Sequence, residues 1–309
     1  WYADTRDLAD PRWCELQFYE SLADLDRFRP RMAAADAVIV GSYVPEGVAV
    51  ARLARATAGG VLAFYDIDTP VTLAKLESGD HEYLAPEIIP SFDVYLSFTG
   101  GDTLRVLERR WRAKQARALY CSVDDTLYEP LDLPRRWDLG YLGTYSEDRQ
   151  STLERLLIET ARRMPEQRFV VAGPQYPDAI EWPANVERIE HIPPAGHADF
   201  YASCGWTLNV TRADMRAVGW SPSVRLFEAA ACATPIISDT WPGLSTFFTP
   251  GTEIVIAERT EDVIRALGRP EIGRAAVGRA GRVRVRTAHT AGHRARLLEA
   301  ILRLVPAMT

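Results

Sequence analysis

The residues best able to do chemistry cluster in one stretch, Asn209–Ala233, which reads NVTRADMRAVGWSPSVRLFEAAACA. An apolar run ends near Val210, and a polar loop carrying Arg212, Asp214 and Arg216 follows. Ser221 suits a helix N-cap and Pro222 the first helical position, so the pattern predicts a helix over 222–233. The amides of Ser223, Val224 and Arg225 are then left free at its start. Free N–H groups and aligned peptide dipoles concentrate positive charge at a helix N-terminus, which makes it an anion site. A phosphate or diphosphate is the expected guest. The helix itself is almost wholly apolar (Leu226, Phe227, Ala229, Ala230, Ala231, Cys232), which predicts burial. Its single acid, Glu228, therefore needs partners. Arg225, three residues earlier on the same face, offers an ion pair. The preferred reading is that Glu228 accepts hydrogen bonds from ligand hydroxyls such as a ribose 2′,3′-diol, a turn along from the phosphate.

Further candidates sit where apolar runs end. Asp66 and Asp68 close the run 61–65, in FYDIDTP. Asp68 is a candidate general base, against the simpler role of capping the helix that follows. Tyr176, in Gly173-Pro174-Gln175-Tyr176, is placed to stack on a base or sugar, or to pack within its loop. Gly100-Gly101 permits close approach of a ligand or of another segment, and Tyr43 lies at a similar loop tip. His289 and His293 are four apart, a metal-compatible spacing, but the sequence offers no third ligand. No metal site is expected.

These residues need a scaffold, and the chain supplies short β-branched or aromatic runs alternating with helical patterns. Strands are expected near 16–19, 37–40, 61–65, 94–98, 118–121, 139–143, 168–172, 186–189, 207–210, 235–238 and 253–256. Helices are expected at 47–58, 102–113, 151–164, 197–203, 222–233 and 261–267. Repeated strand–helix–strand units imply α/β architecture with parallel sheets covered on both faces. The run Glu129–Trp137, EPLDLPRRW, has linker composition and marks the domain boundary. In open parallel sheets ligands bind beyond the carboxyl ends of the strands.

Composition sets the outer bounds. At roughly 100–200 residues per domain, 309 residues make about two domains. Net charge is −6, which argues against a nucleic-acid partner. The balance is uneven, −7 over residues 1–130 and +1 over 131–309, so an anionic ligand is expected in the second half. The arginine-rich stretch 273–303 reads as a solvated helix face. The four cysteines (14, 121, 204, 232) form no C-x-x-C pair and read as buried free thiols in a reducing, cytoplasmic compartment. There is no apolar run long enough for a membrane span.

The pattern SPSVRLFEAAACATPIISD (221–239), with Trp241, Gly243-Leu244 and Pro250-Gly251-Thr252-Glu253-Ile254, resembles the C-terminal domain of GT-B glycosyltransferases. It is most similar to the spore-maturation CgeB-like group. LGYLGTYSEDRQ (139–150), VAGPQYP (171–177) and LNVTRADM (208–215) support the resemblance, and FYDIDTPVTL (64–73) and LSFTGG (96–101) extend it to the first half.

The resemblance implies two Rossmann-like domains facing across a cleft: an acceptor domain over residues 1–130, and a donor domain over 136–290 that binds a nucleotide-diphosphate sugar. A terminal helix over 284–309 crosses back to the first. It implies a metal-independent transfer to an acceptor hydroxyl, with no cofactor. Gly143, Thr144, Arg212, Ser223, Val224 and Arg225 then bind the diphosphate, with Arg149 as helper. Glu228 binds the ribose, and His191, Ile192 and Tyr176 meet the base. Two departures stand out. Related retaining enzymes pair two glutamates with seven residues between them, and the first of those positions is Trp220 here. GT-B chains also begin with a strand, a glycine-rich loop and a helix; this sequence is expected to start after that unit, which either lies upstream of it or is lacking. Two alternatives stay open: a nucleotide-sugar epimerase or phosphorylase of the same fold, and a noncatalytic nucleotide-sugar binder.

Overall fold

The computed structural model describes residues 11–305. Its first sheet is parallel, in the order β1 (Ala37–Gly41), β2 (Val61–Asp66), β3 (Val94–Ser97) and β4 (Ala116–Ala118). Helices α1 (Arg29–Ala34), α2 (Gly47–Thr57), α3 (Thr69–Ser78) and α4 (Asp102–Arg109) interleave with these strands. Side chains alternate across a strand, and in the central strands β2 and β3 both faces are buried. Val40, Leu62, Phe64 and Tyr95 pack with Ala51, Ala54, Leu76 and Leu107 of the helices. Val61, Ala63, Val94 and Leu96 point the other way, onto Ile301 and Val305 at the far end of the chain. Two buried faces explain why these strands read as continuous apolar runs.

The second sheet is also parallel and runs β7–β6–β5–β8–β9–β10. Its strands are β5 (Trp137–Leu142), β6 (Phe169–Ala172), β7 (Val186–Ile189), β8 (Cys204–Asn209), β9 (Ile236–Ser238) and β10 (Val255–Ile256). This is the doubly wound order, with its switch point between β5 and β8. Helix α5 (Glu147–Leu153) continues through a π-helical turn, Glu154–Ile158, into α6 (Glu159–Arg163). Then come α7 (His197–Ala202), α8 (Ala213–Val218), α9 (Val224–Ala231), α10 (Leu244–Phe247), α11 (Thr260–Leu267) and α12 (Glu271–Ala288). Phe169 and Val171 face Leu156, Leu157 and Val263, while Val170 and Ala172 share the opposite core with Leu226 and Phe227 of α9.

The strand expected at 16–19 does not form: Leu16 and Phe18 are exposed, and Arg27 takes the Phe18 carbonyl at 2.6 Å in place of a ladder partner. Cys14 is also exposed, whereas Cys121, Cys204 and Cys232 are buried as expected.

The chain crosses back to the first sheet where α12 gives way to α13 (Ala291–Leu304). There the Val123 amide donates to the His289 carbonyl at 3.2 Å and the Ala291 amide to the Val123 carbonyl at 2.8 Å. The His289 ring stacks on Phe227 at 4.7 Å, and its Nδ1 accepts from Arg294 at 2.8 Å. His293 bonds Thr290 instead, so the two histidines do not converge. Among the described residues no three potential ligands gather around a metal position.

The carboxyl ends of the two sheets meet at residues 219–222. The Gly100 amide donates to the Trp220 carbonyl at 2.9 Å, and the Thr99 and Ser221 hydroxyls lie 3.0 Å apart. The Cys121 thiol donates to the Pro222 carbonyl at 3.3 Å. Trp220 adopts φ +43°, a rare state for a bulky residue. Its ring fills the space between Gly101 (φ +61°) and Gly243 (φ +90°), and a Cβ on either would come within 2.6 Å of the ring. Only glycine fits at those two positions.

Two outcomes follow for stability. Gly101→Ala should cost about 1–3 kcal/mol in urea unfolding, because the positive φ and the indole both oppose a Cβ; unchanged stability would mean that the indole moves aside freely. His289, pushed down to about 4 by burial and secondarily by Arg294, is neutral when folded and ordinary when unfolded. Its folded pKa lies below the unfolded 6.5, so it contributes nothing to pH dependence above about 6.5. As pH falls toward 4, protonation favours the unfolded chain, by about 3 kcal/mol in total. His289→Phe should therefore lose less stability than the parent between pH 7.5 and 4.5, and equal losses would refute this assignment.

Candidate active site

The switch point between β5 and β8 directs attention to the loops that leave those strands. The loop after β5, Gly143-Thr144-Tyr145, is pinned from below: the Gly143 amide donates to the Ala172 carbonyl at 2.8 Å, and the Tyr145 amide to the Pro174 carbonyl at 3.0 Å. Arg149 reaches back to the Thr144 carbonyl at 2.6 Å. The loop after β8 is not wholly irregular, as expected, but turns into α8 at Ala213. Asp148 is the reason, since it accepts the Ala213 amide at 2.7 Å and satisfies the first turn. This bond brings the element carrying Gly143 and Thr144 together with the one carrying Arg212.

Helix α9 begins two residues later than the sequence pattern suggests. Ser223 is its N-cap, with the hydroxyl accepting from the Arg225 amide. Ser221 and Pro222 are instead committed to the first sheet through Thr99 and Cys121. The Arg225 amide is therefore not free. The amides of Ser223 and Val224 have no acceptor among the described residues, and Val224 is 37% exposed. Arg212, Arg216 and Arg225 form no ion pair with a carboxylate among the described residues. Two open amides at a helix start, with Arg225 next in the chain, suit an anion.

Glu228 is 9% exposed and does not pair with Arg225. The Tyr201 hydroxyl donates to its Oε2 at 3.1 Å, and His197 Nδ1 stands 4.0 Å from the same oxygen. Tyr128, from the segment joining the two sheets, contacts both: its hydroxyl lies 3.3 Å from His197 Nδ1 and beside the Glu228 carboxylate. Burial lowers the His197 pKa, opposed by Glu228, so the ring is neutral at neutral pH. Burial, then Glu228, raises that of Tyr201.

The expected base-binding residues separate. His191 is exposed just beyond β7, and the carbonyl of partly buried Ile192 faces His197 Nε2 at 3.2 Å. Tyr176 is built into its domain: its hydroxyl donates to the Gly143 carbonyl at 3.1 Å and Arg188 covers one ring face at 4.2 Å. Trp182 and Tyr145 meet it edgewise at 5.5 Å.

At the carboxyl end of the first sheet, Asp68 occupies the N-cap position of α3, but its side chain does not cap. It accepts from the Tyr43 hydroxyl at 3.0 Å and is partly exposed. Asp66 is fully buried, accepting from Tyr95 at 2.5 Å and Thr72 at 2.8 Å, with its pKa raised by burial. Sequence reasoning reads His197, near a helix start, as structural, and passes over Tyr201 and Tyr128. The first two are four apart on α7, a spacing that puts both on one face and was open to detection. Tyr128 lies in a segment with no periodicity.

Residues 149–300 match the family described as "Glycosyl transferase-like". Several solved structures share the fold at low identity. The Anabaena protein HepE in complex with UDP-glucose matches with TM-score 0.66 and 12% identity, over 92% of this chain and 84% of that one. A sucrose-phosphate synthase from Thermosynechococcus elongatus matches with TM-score 0.63 and 14% identity, over 92% and 80%. An α,α-trehalose-phosphate synthase (UDP-forming) from Burkholderia xenovorans, in complex with glucose-6-phosphate, matches with TM-score 0.63 and 14% identity, over 90% and 75%. No curated protein matches in sequence. The fold is that of the GT-B enzymes, and a glycosyl transferase-like domain covers the part of the site from the loop after β8 through α9.

Glu228→Gln keeps the shape and one acceptor oxygen but removes the charge. It should leave the fold intact and weaken UDP binding by about 1.5–3 kcal/mol, the range for a hydrogen bond to a charged group. Calorimetry on the folded variant decides. Unfolding without a change in affinity would instead assign Glu228 a structural role.

Proposed function

We propose that this chain transfers a sugar from a nucleotide-diphosphate sugar to an acceptor hydroxyl held by the first domain, without a bound metal. The observation that carries the reading is the start of α9, where the Ser223 and Val224 amides stand open beside Arg225. Positive charge fixed at that point stabilises the diphosphate as it leaves, without reorganisation at the moment of reaction. In this reading Gly143, Thr144 and Arg212 take part in holding the diphosphate, Glu228 takes the ribose and His191-Ile192 meets the base, while Tyr176 stays packed under the Gly143 loop. Asp68, held by Tyr43, accepts the proton of the acceptor hydroxyl as that oxygen attacks the donor sugar.

UDP is the first nucleotide to test, since HepE was solved with UDP-glucose. The motifs at 139–150, 171–177, 208–215 and 221–239 favour the CgeB-like group within the family. Among the described residues no helix is long and apolar enough to cross a membrane. Three buried free thiols fit a reducing cytoplasm. A noncatalytic binder is the second reading, favoured by Trp220 standing where related retaining enzymes carry a glutamate.

The test is turnover of UDP-glucose, as hydrolysis and as transfer to a panel of hydroxyl and amine acceptors. Turnover should persist in EDTA, and Asp68→Asn should slow it about 100-fold or more with UDP affinity unchanged. A strict divalent-metal requirement would overturn the diphosphate assignment. Full rate in Asp68→Asn would remove Asp68 as the base, and UDP binding without any turnover would support the binder.

A further inference from the structure

The surroundings of Glu228 hold more hydrogen-bond acceptors than donors. His197 Nε2 faces the Ile192 carbonyl at 3.2 Å, and a carbonyl only accepts, so the ring proton of the neutral imidazole sits on Nε2. Nδ1 is then an acceptor. The Glu228 carboxylate accepts from Tyr201, which is 1% exposed and fixed in the core. That leaves Nδ1 and the remaining carboxylate lone pairs sharing a single further proton, that of the Tyr128 hydroxyl. A 1,2-diol brings two hydroxyl donors and would satisfy both acceptors.

Tyr128 is also the member of the cluster able to leave. It is partly exposed, between the exposed residues Leu127 and Glu129. Its local backbone is held by a turn on Asp124, whose carbonyl accepts the Leu127 and Tyr128 amides and whose carboxylate accepts from Thr126. Tyr201 and His197, by contrast, sit on α7.

We infer that the Tyr128 hydroxyl stands in for a ribose hydroxyl between Glu228 and His197, and that a nucleotide's diol enters by displacing it. His197 thereby becomes the reader of the second hydroxyl, beside Glu228. Because Tyr128 belongs to the segment between β4 and β5, filling the ribose site frees part of the connection between the two sheets. This inference rests on the nucleotide reading above.

The experiment titrates UDP and 2′,3′-dideoxy-UDP into the full chain and into Tyr128→Phe, which keeps the ring and removes the competing hydroxyl. The variant should bind UDP roughly fivefold tighter, the worth of one ordinary hydrogen bond no longer broken on entry, and the dideoxy nucleotide no tighter. In the parent, hydrogen exchange of the amides at 124–129 should rise when UDP is added. Unchanged or weaker UDP binding by Tyr128→Phe would overturn the stand-in role. Equal affinity of the parent protein for the two nucleotides would show instead that Glu228 reads no ribose, and the inference would fall with that reading.

Discussion

One backbone hydrogen bond, from the Gly100 amide to the Trp220 carbonyl, sets the position from which the candidate site hangs. Trp220 is followed directly by Ser221, Pro222 and the N-cap Ser223, so a shift at that bond is passed along rigid chain to the open amides of α9. The neighbouring contacts, Thr99 with Ser221 and Cys121 with Pro222, hold the same four residues from the first sheet. Each bond contributes only about 1 kcal/mol net. Their importance is geometric: the start of α9 is registered against the opposite sheet, and the indole wedged between Gly101 and Gly243 leaves little freedom for a different register. A site assembled from two sheets otherwise has no local reason to keep its spacing.

Electrostatics then divides the labour. The second half carries a balance of +1 and the first −7, and Arg212, Arg216 and Arg225 lie in the segment that leaves the switch point of the second sheet. The acids of the first half at the strand ends are handled differently. Asp66 is buried and satisfied by Tyr95 and Thr72, while Asp68 keeps some exposure with Tyr43 as its partner. In the proposed reaction an anion leaving toward α9 and a proton moving to Asp68 would therefore part in opposite directions.

Much of the fold was legible because its signals are local. Strands such as 61–66 and 169–172 are short apolar runs bounded by helices, and both of their faces are buried, so no alternation was needed to find them. Glu228 was legible as an acid inside an apolar helix. What escaped notice depends on distant residues. Ser221 resembles an N-cap, yet its hydroxyl is drawn to Thr99, 122 positions away, and Ser223 takes the cap. Arg225 and Glu228 have ion-pair spacing, but Tyr201 and His197 reach the carboxylate from α7. Leu16–Tyr19 has strand composition and no strand beside it among the described residues. Tyr128, one residue before the linker, gives no signal until the fold brings it against His197 of α7 and Glu228 of α9.

The most direct measurement is a crystal structure of the full chain with UDP. The account predicts the diphosphate within hydrogen-bond distance of the Ser223 and Val224 amides, close to Arg225 and the Gly143-Thr144 loop, with the ribose hydroxyls on Glu228. UDP bound away from the start of α9, for example in the groove of about 480 Å³ lined by Arg135, Gly205 and Arg274, would contradict it.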